Sequence, residues 1–302
     1  MNFHNKSGLD ALAPEARLAY RPAPRHLVPR VSLARRLLAA AGAPIFGSRF
    51  VFPGRLDRAV AMLLEDPDAI DVSPEHAAWH FGSSLHLEVD PARLVHRISD
   101  YVVTPRGARW MGTSFIDAAE WSAVLTPIDQ SPIHRETLEL VAAGADYRDT
   151  QAYRILAYAI EVGRPSARNG VRITTTEEIE AYLHYCRDLI KSARKRGVVR
   201  HRVSGAFHRL RVKHRDARSP ALDTSERDIG VAINADGEIV RHLGGKHRTA
   251  IAQALKLPRM PVEIRLVHVR WIAEQMQRTG LPPHLALKHG VKELRAAAEA
   301  SA

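Results

Sequence analysis

Apolar positions in the N-terminal two thirds of the chain recur with helical spacing in several separate stretches. In 31–42, 55–66, 133–143 and 150–162, apolar residues fall three or four positions apart. Because this spacing places apolar side chains on one face of a helix, each stretch predicts an amphipathic helix. Between Leu85 and Thr104, apolar and polar residues instead alternate in short runs broken by prolines, which predicts short strands.

A longer helix is predicted between Thr174 and Arg196. Threonines followed by Glu177 and Glu178 form a capped and acidic first turn, and a basic last turn precedes Gly197. The basic side chains of the last turn complement the negative end of the helix dipole, and they would also suit a nucleic-acid contact.

The C-terminal part has the alternation of a sheet. Strands are predicted at 229–233 and 238–243, joined by a tight turn at Ala235–Gly237, and a third strand at 261–269 follows a helix over Thr249–Leu255. A sheet packed on a helix, following a mostly helical N-terminal region, predicts an α+β fold. The expected segments are a basic proline-containing arm (1–30), a mainly helical accessory region (31–200), a basic linker (201–220), the sheet-and-helix domain (221–275) and a C-terminal helical tail (276–302).

Composition and charge indicate that the partners of the chain are acidic. The 302 residues carry a formal net charge of +11, which attracts polyanions and acidic ligands. Nine Lys, Arg and His residues fall within 201–218, and this basic run would serve as a linker, as a polyanion-binding strand or as a wall of a ligand site. With one cysteine, no long apolar run and no signal-peptide core, we expect a cytoplasmic protein without a membrane span.

The strongest candidate for chemistry is a Gly-Gly turn between a predicted strand and a predicted helix. Glycines let the backbone approach a ligand closely, and the first N–H groups of a helix lack partners within it. Three basic residues follow the glycines, at the positive end of the helix dipole. The sequence therefore predicts a phosphate- or nucleotide-binding set of Gly244, Gly245, Lys246, His247, Arg248 and Thr249. For His247 a second role stays open, as a residue that holds the loop through the backbone.

The same stretch resembles a known superfamily. A strand, Gly-Gly-x-His-Arg, a helix with small residues and the Pro261–Val269 strand are similar to the core of the ParB/sulfiredoxin superfamily, over roughly 223–271. Gly-x-His-Arg-x-x-x-Ala also resembles a set of uncharacterised bacterial and archaeal proteins. The resemblance implies a nucleotide-phosphate loop like that of sulfiredoxins, ParB-type switches and free serine kinases. A kinase of this kind would take ATP or ADP, Mg²⁺ and an unidentified small-molecule acceptor.

Candidate catalytic carboxylates precede the first strand of this region. Phosphoryl transfer needs a carboxylate that orients or deprotonates the acceptor, or that holds Mg²⁺. By resemblance to the free serine kinases, Glu226 or Asp228 would take that role, with Lys246, His247 and Arg248 on the phosphates. The alternative is that both carboxylates only pair with Arg227 or with neighbouring arginines.

Two departures from the superfamily narrow the function. Sulfiredoxins have their catalytic cysteine where this chain has Lys246, and the single cysteine, Cys186, is distant in sequence, so sulfinic acid reduction is not expected. ParB proteins continue into a helix-turn-helix module, whereas only some thirty residues follow Trp271. The hypotheses are a nucleotide-binding protein with kinase activity, a ParB-like nucleic-acid-binding or regulatory protein, and a non-enzymatic partner module.

A pair of histidines has the spacing of metal ligands. His76 and His80 lie one helical turn apart. No third ligand and no acidic catalytic residue accompany them, so the sequence predicts no metal site.

Overall fold

The structure is a computed structural model that describes residues 33–67, 72–98, 114–122, 124–144, 146–168, 171–200 and 228–300. The expected arm at 1–30, the basic run at 201–218 and Glu226 lie outside these residues. The helices are α1 (Leu33–Phe46), α2 (Phe52–Glu65), α3 (Pro74–Phe81), α4 (Pro132–Ala143), α5 (Gln151–Glu161), α6 (Thr176–Arg196), α7 (Lys246–Ala254), α8 (Val269–Thr279) and α9 (Pro283–Ala300). The strands are β1 (His86–Val89), β2 (His96–Ile98), β3 (Ile116–Asp117), β4 (Leu125–Pro127), β5 (Ala167–Arg168), β6 (Val171–Arg172), β7 (Ile229–Ile233), β8 (Ile239–Arg241) and β9 (Met260–His268).

The chain divides into two compact units, and each is assembled from separate segments. The helical unit comprises the described residues within 129–229 and 244–261, and the sheet unit comprises those within 33–128, 230–243 and 262–300. No helix among the described residues is both long and apolar enough to cross a membrane.

The sheet unit is built on a mixed sheet. Its seven strands follow the order β1-β9-β7-β8-β2-β4, and β3 pairs with β9. β7 and β8 form the predicted antiparallel hairpin, whereas β8 pairs with β2 in parallel and β2 pairs with β4 antiparallel. The predicted α+β class is confirmed. Four of the seven strands come from 86–127, so the sheet is wider than the C-terminal strands alone predict.

One face of this sheet is apolar. Its buried cluster consists of Ile98, Trp121, Val124, Ala232, Val240 and Leu266. Burying each of the larger side chains stabilises the fold by about 1.5–3 kcal/mol relative to exposure. The β7–β8 turn is fixed by Asn234, whose side-chain oxygen accepts hydrogen bonds from the backbone N–H groups of Asp236 and Glu238.

The helical unit has a core of its own. The long helix α6 contributes six of its buried residues, from Ile179 to Ala193, and α7 contributes Ile251. The start of α6 is the predicted one: Thr175 caps the helix, and Thr175 and Glu178 form a reciprocal capping box. Gly197 ends α6, as predicted. The unit therefore presents α7 on a packed helical scaffold.

Candidate functional site

The Gly-Gly turn places the start of α7 in an unusual backbone conformation. Gly244 has φ = 78° and Gly245 has φ = 68°, both in the left-handed region that favours glycine. Gly245 is the N-cap residue, and α7 begins at Lys246, three residues earlier than the sequence pattern predicts. The first bond along the helix runs from the Thr249 N–H to the Gly245 carbonyl. The predicted phosphate-binding residues therefore occupy the cap and the first turn of a helix.

The side chains of this turn differ in exposure. Lys246 and Arg248 are half-buried, which leaves part of each cationic side chain accessible at the positive end of the helix dipole. A guanidinium grips phosphate through two parallel N–H bonds, whereas an ammonium acts as a point charge. The turn therefore combines two kinds of cation with an N-terminal helix dipole.

Thr249 supplies a second and independent signal. Its side chain is fully buried, and its Oγ1 has no hydrogen-bond partner among the described residues. The Cα–Cβ bond of a helical residue tilts toward the N-terminus, so the Thr249 side chain leans toward the start of α7. Buried hydroxyls in folded proteins are nearly always hydrogen-bonded. The Thr249 hydroxyl is therefore suited to contact a group held at the start of α7.

His247 lies in the interior of the helical unit. The residue is only 8% exposed, and Nε2 of its imidazole lies 2.8 Å from the hydroxyl of Tyr182 on α6. The sequence favoured a ligand contact for His247, along with Lys246 and Arg248, and left open a role in holding the loop. In the structure one ring nitrogen of His247 is hydrogen-bonded to Tyr182. The imidazole therefore joins the first turn of α7 to α6.

Tyr182 belongs to a buried polar network. Arg168 binds the Glu136 carboxylate with both Nε and a terminal nitrogen, at 3.2 and 2.5 Å, and it also hydrogen-bonds the Tyr182 hydroxyl. Cys186 lies one turn further along α6, within hydrogen-bond reach of the same hydroxyl. The network therefore joins α4, β5 and α6 to His247 of α7.

Burial determines the protonation states of this network. It raises the pKa of Tyr182 well above its usual value and the pKa of the Cys186 thiol to about 12, so both groups keep their protons. Burial opposes the charge of Arg168, but the Glu136 carboxylate outweighs it and raises the pKa of Arg168. A fully buried, protonated thiol is not a nucleophile.

The network was not foreseen from the sequence. Glu136 lies on the same face of α4 as the buried Leu140, and a carboxylate on a buried helix face is a usable signal. Arg168 and Tyr182 carried no comparable signal, because a tyrosine at helical spacing is an ordinary core residue.

Of the two candidate catalytic carboxylates, only Asp228 lies within the described residues. It is half-buried, directly before β7. Glu226 lies outside the described ranges, and its role stays a prediction.

The His76–His80 pair lies on α3, as expected. The ring of His76 lies 5.3 Å from that of Phe46, and the ring of His80 stacks on Phe52 at 4.7 Å. Among the described residues, no group of three or more His, Cys, Asp or Glu side chains has the arrangement of a metal site. Both imidazoles pack against aromatic rings.

Comparisons with known proteins leave the site to be interpreted from its own geometry. No protein-family model matches the chain, and searches of curated proteins and of solved structures return no match. The resemblance to the ParB/sulfiredoxin superfamily stays a prediction from the residues around Gly245.

Proposed function

We propose that the chain binds the phosphate groups of a nucleotide at the start of α7, through the loop and first turn from Gly244 to Thr249. The observation that carries the proposal is the pair of successive left-handed glycines directly before Lys246. In this conformation the first N–H groups of α7 project beyond the helix end without a side chain from the cap residue to cover them.

Charge and polarity support the same ligand. Lys246 and Arg248 place two half-buried cationic side chains in the first turn, and the buried hydroxyl of Thr249 adds a neutral donor. A phosphate offers several acceptor oxygens and a charge that these groups complement together. The positive charge of both side chains favours an anion over an uncharged ligand.

The proposed reaction is transfer of a phosphoryl group from ATP or ADP to a small-molecule acceptor. Lys246 and Arg248 would neutralise charge on the transferred group, and Asp228 would orient the acceptor hydroxyl or hold Mg²⁺. Asp228 supports this step because it directly precedes β7 and belongs to the same unit as the loop. The resemblance to the free serine kinases suggests the same assignment.

The binding step is tested by thermal unfolding in the presence of ATP, ADP, CTP and GTP, each with and without Mg²⁺. A ligand that binds only the folded state stabilises it by about 2.7 kcal/mol at a hundred times its Kd. We expect a shift with at least one nucleotide, and we expect Arg248→Ala to abolish it. The matched control is Arg164→Ala, which removes an exposed arginine of the same unit outside the loop.

The reaction step is tested separately. A nucleotide that binds is supplied with a panel of hydroxyl compounds, and its hydrolysis or transfer is followed in the wild type and in Asp228→Asn. We expect Asp228→Asn to bind the nucleotide normally in the absence of Mg²⁺ and to lose turnover. Absence of a thermal shift with every nucleotide would contradict the binding proposal and favour a polyanion partner at the basic run 201–218.

A further inference from the structure

His247 is a buried residue of the first turn of α7, and its imidazole is hydrogen-bonded to Tyr182. The protonation of this imidazole therefore depends on which partner donates. A hydroxyl and an imidazole nitrogen 2.8 Å apart share one proton, and either group can be the donor. If Tyr182 donates, His247 is neutral and carries its proton on Nδ1. If Nε2 donates, His247 is either charged or in the other neutral tautomer.

Arg168 biases this choice. A guanidinium can only donate, so its hydrogen bond to Tyr182 occupies a lone pair of the phenol oxygen. The Glu136 carboxylate holds Arg168 charged in this position. A phenol oxygen that already accepts from a cation is a poorer acceptor for a second donor and a stronger donor of its own proton.

The Tyr182 hydroxyl has two acceptors within reach, and they are unequal. Thiol sulfur is a weak acceptor, whereas the unprotonated nitrogen of an imidazole is a good one. The single hydroxyl proton therefore favours Nε2 of His247 over Sγ of Cys186.

The surrounding charges also disfavour an imidazolium. His247 is buried and lies between Lys246 and Arg248 at the positive end of the α7 dipole, and Arg168 approaches from β5. Buried and half-buried titratable or charged groups on the elements that pack here include His134 and Glu136 of α4, Arg168 of β5, Tyr182 and Cys186 of α6, Lys246 and Arg248 of α7 itself, and Asp228 directly before β7. The acidic members of this set are Glu136, whose carboxylate is bound by Arg168, and Asp228.

We propose that Tyr182 is the positioning residue of the phosphate loop: held by Arg168 and Glu136, it donates its hydroxyl proton to Nε2 of His247 and fixes that imidazole in the neutral, Nδ1-protonated form. This inference rests on the proposed phosphate-binding function for its role, but the protonation of His247 is a property of the protein without ligand. Its consequence is that Lys246 and Arg248 carry the binding charge, so anion affinity does not follow a histidine titration.

The first test needs no change to the network. Nitrogen NMR of the protein labelled with ¹⁵N-histidine distinguishes protonated from unprotonated ring nitrogens, and the His247 signals are identified by their loss in His247→Gln. We expect an unprotonated Nε2 and a protonated Nδ1, unchanged from about pH 8 down to about pH 5.5, where an ordinary histidine becomes charged. A proton on Nε2 anywhere in that range would overturn the inference.

The second test links the network to binding. The probe is sulfate, whose charge is constant over this pH range. Its affinity is obtained from the shift in thermal unfolding that it causes in the wild type, Tyr182→Phe and Tyr147→Phe. Tyr147 is the matched control, because its hydroxyl binds Glu180 elsewhere in the same unit. In the wild type and the control, we expect affinity to be independent of pH.

In Tyr182→Phe we expect affinity about tenfold weaker at neutral pH, the loss expected for one hydrogen bond that positions the loop. We also expect affinity to change with pH as His247 is freed to titrate. Equal and pH-independent affinities in all three proteins would overturn the positioning role. If Tyr182→Phe does not fold, the tautomer measured in the wild type decides the inference. If that tautomer is as expected but no anion binds, the proposed function fails while the assignment of the hydrogen bond stands.

Discussion

Gly245 lies so close to Ile229 that a Cβ atom at position 245 would be 2.5 Å from Cγ1 of Ile229. The contact is independent of the backbone angle, which is itself in the left-handed region at φ = 68°. The glycine that caps α7 is thus required for two separate reasons, one conformational and one steric. Both reasons apply to Gly245, the N-cap residue of α7 in the proposed phosphate loop.

We therefore expect Gly245→Ala to destabilise the protein by more than left-handed strain alone, which is about 1–3 kcal/mol. Gly163→Ala is the matched control, since Gly163 has φ = 67° and no atom within 4 Å of its would-be Cβ. The free energy of unfolding is measured in urea for both variants. Equal losses would mean that the contact with Ile229 has no energetic effect.

Removal of Arg168 is expected to be strongly destabilising. Arg168→Met leaves the Glu136 carboxylate buried without its bidentate partner, and breaking a buried pair in this way costs about 3–5 kcal/mol. The double variant Glu136→Leu with Arg168→Met removes both charges and should recover part of that loss. Arg148→Met, which breaks an exposed pair with Glu180, should have a much smaller effect on chemical unfolding. A double variant less stable than Arg168→Met would contradict this account.

Thr249→Val should separate stability from binding. The change keeps the shape of the side chain and removes a buried hydroxyl that has no partner among the described residues, so stability should be unchanged or higher by about 1 kcal/mol. If the hydroxyl contacts a bound phosphate, nucleotide affinity should fall at the same time. Thr249→Ser keeps the hydroxyl and serves as the control for affinity. A loss of stability without a loss of affinity would count against a ligand contact.

His268 predicts a pH dependence in the sheet unit. Its Nδ1 accepts from the Arg270 N–H and caps α8, and its Nε2 lies 3.1 Å from the Ala119 carbonyl, an arrangement that suits a neutral ring protonated on Nε2. Burial lowers the pKa of His268 below its ordinary value of 6.5. The unfolded chain therefore takes up the proton first, so this contribution is complete above about pH 6.5 and is lost as pH falls toward the folded pKa.

The measurement is the urea midpoint between about pH 5 and 8 for the wild type and His268→Asn. Asparagine is also a good N-cap residue, so the cap is kept while the titrating group is removed. We expect a flatter pH profile in the variant. The exposed histidine variant His289→Asn should keep the wild-type profile. An identical slope in His268→Asn would assign the pH dependence to other groups.

Cys186 is expected to be inert in the folded protein. The thiol is fully buried and burial raises its pKa to about 12, so a thiolate-directed reagent should label it only after unfolding. Because the chain has one cysteine, labelling reports on this residue alone. Moving the thiol to the surface of the same helix, in Cys186→Ser with Lys191→Cys, should make labelling rapid in the native state. Fast labelling of the native wild type would contradict the buried position.

Local sequence signals were sufficient for two of these features. The threonines followed by Glu177 and Glu178 predicted the start of α6, and the Ala235–Gly237 turn predicted the β7–β8 hairpin. For α7 the sequence predicted a start at Thr249, whereas the helix begins at Lys246, because a glycine in the left-handed conformation acts as the cap. A pattern of apolar residues begins only where a helix becomes buried, so it missed the half-exposed first turn.

The sequence by itself determined the α+β class and the candidate phosphate loop, because helical periodicity, strand alternation and a Gly-Gly turn before basic residues are local properties of the chain. Tertiary structure alone decided that strands from 86–127 join the same sheet as β7–β9, and that Glu136, Arg168 and Tyr182 meet beneath His247. These contacts join residues tens of positions apart, and they form only when separate amphipathic faces are buried together. Neither spacing nor composition records which faces those are.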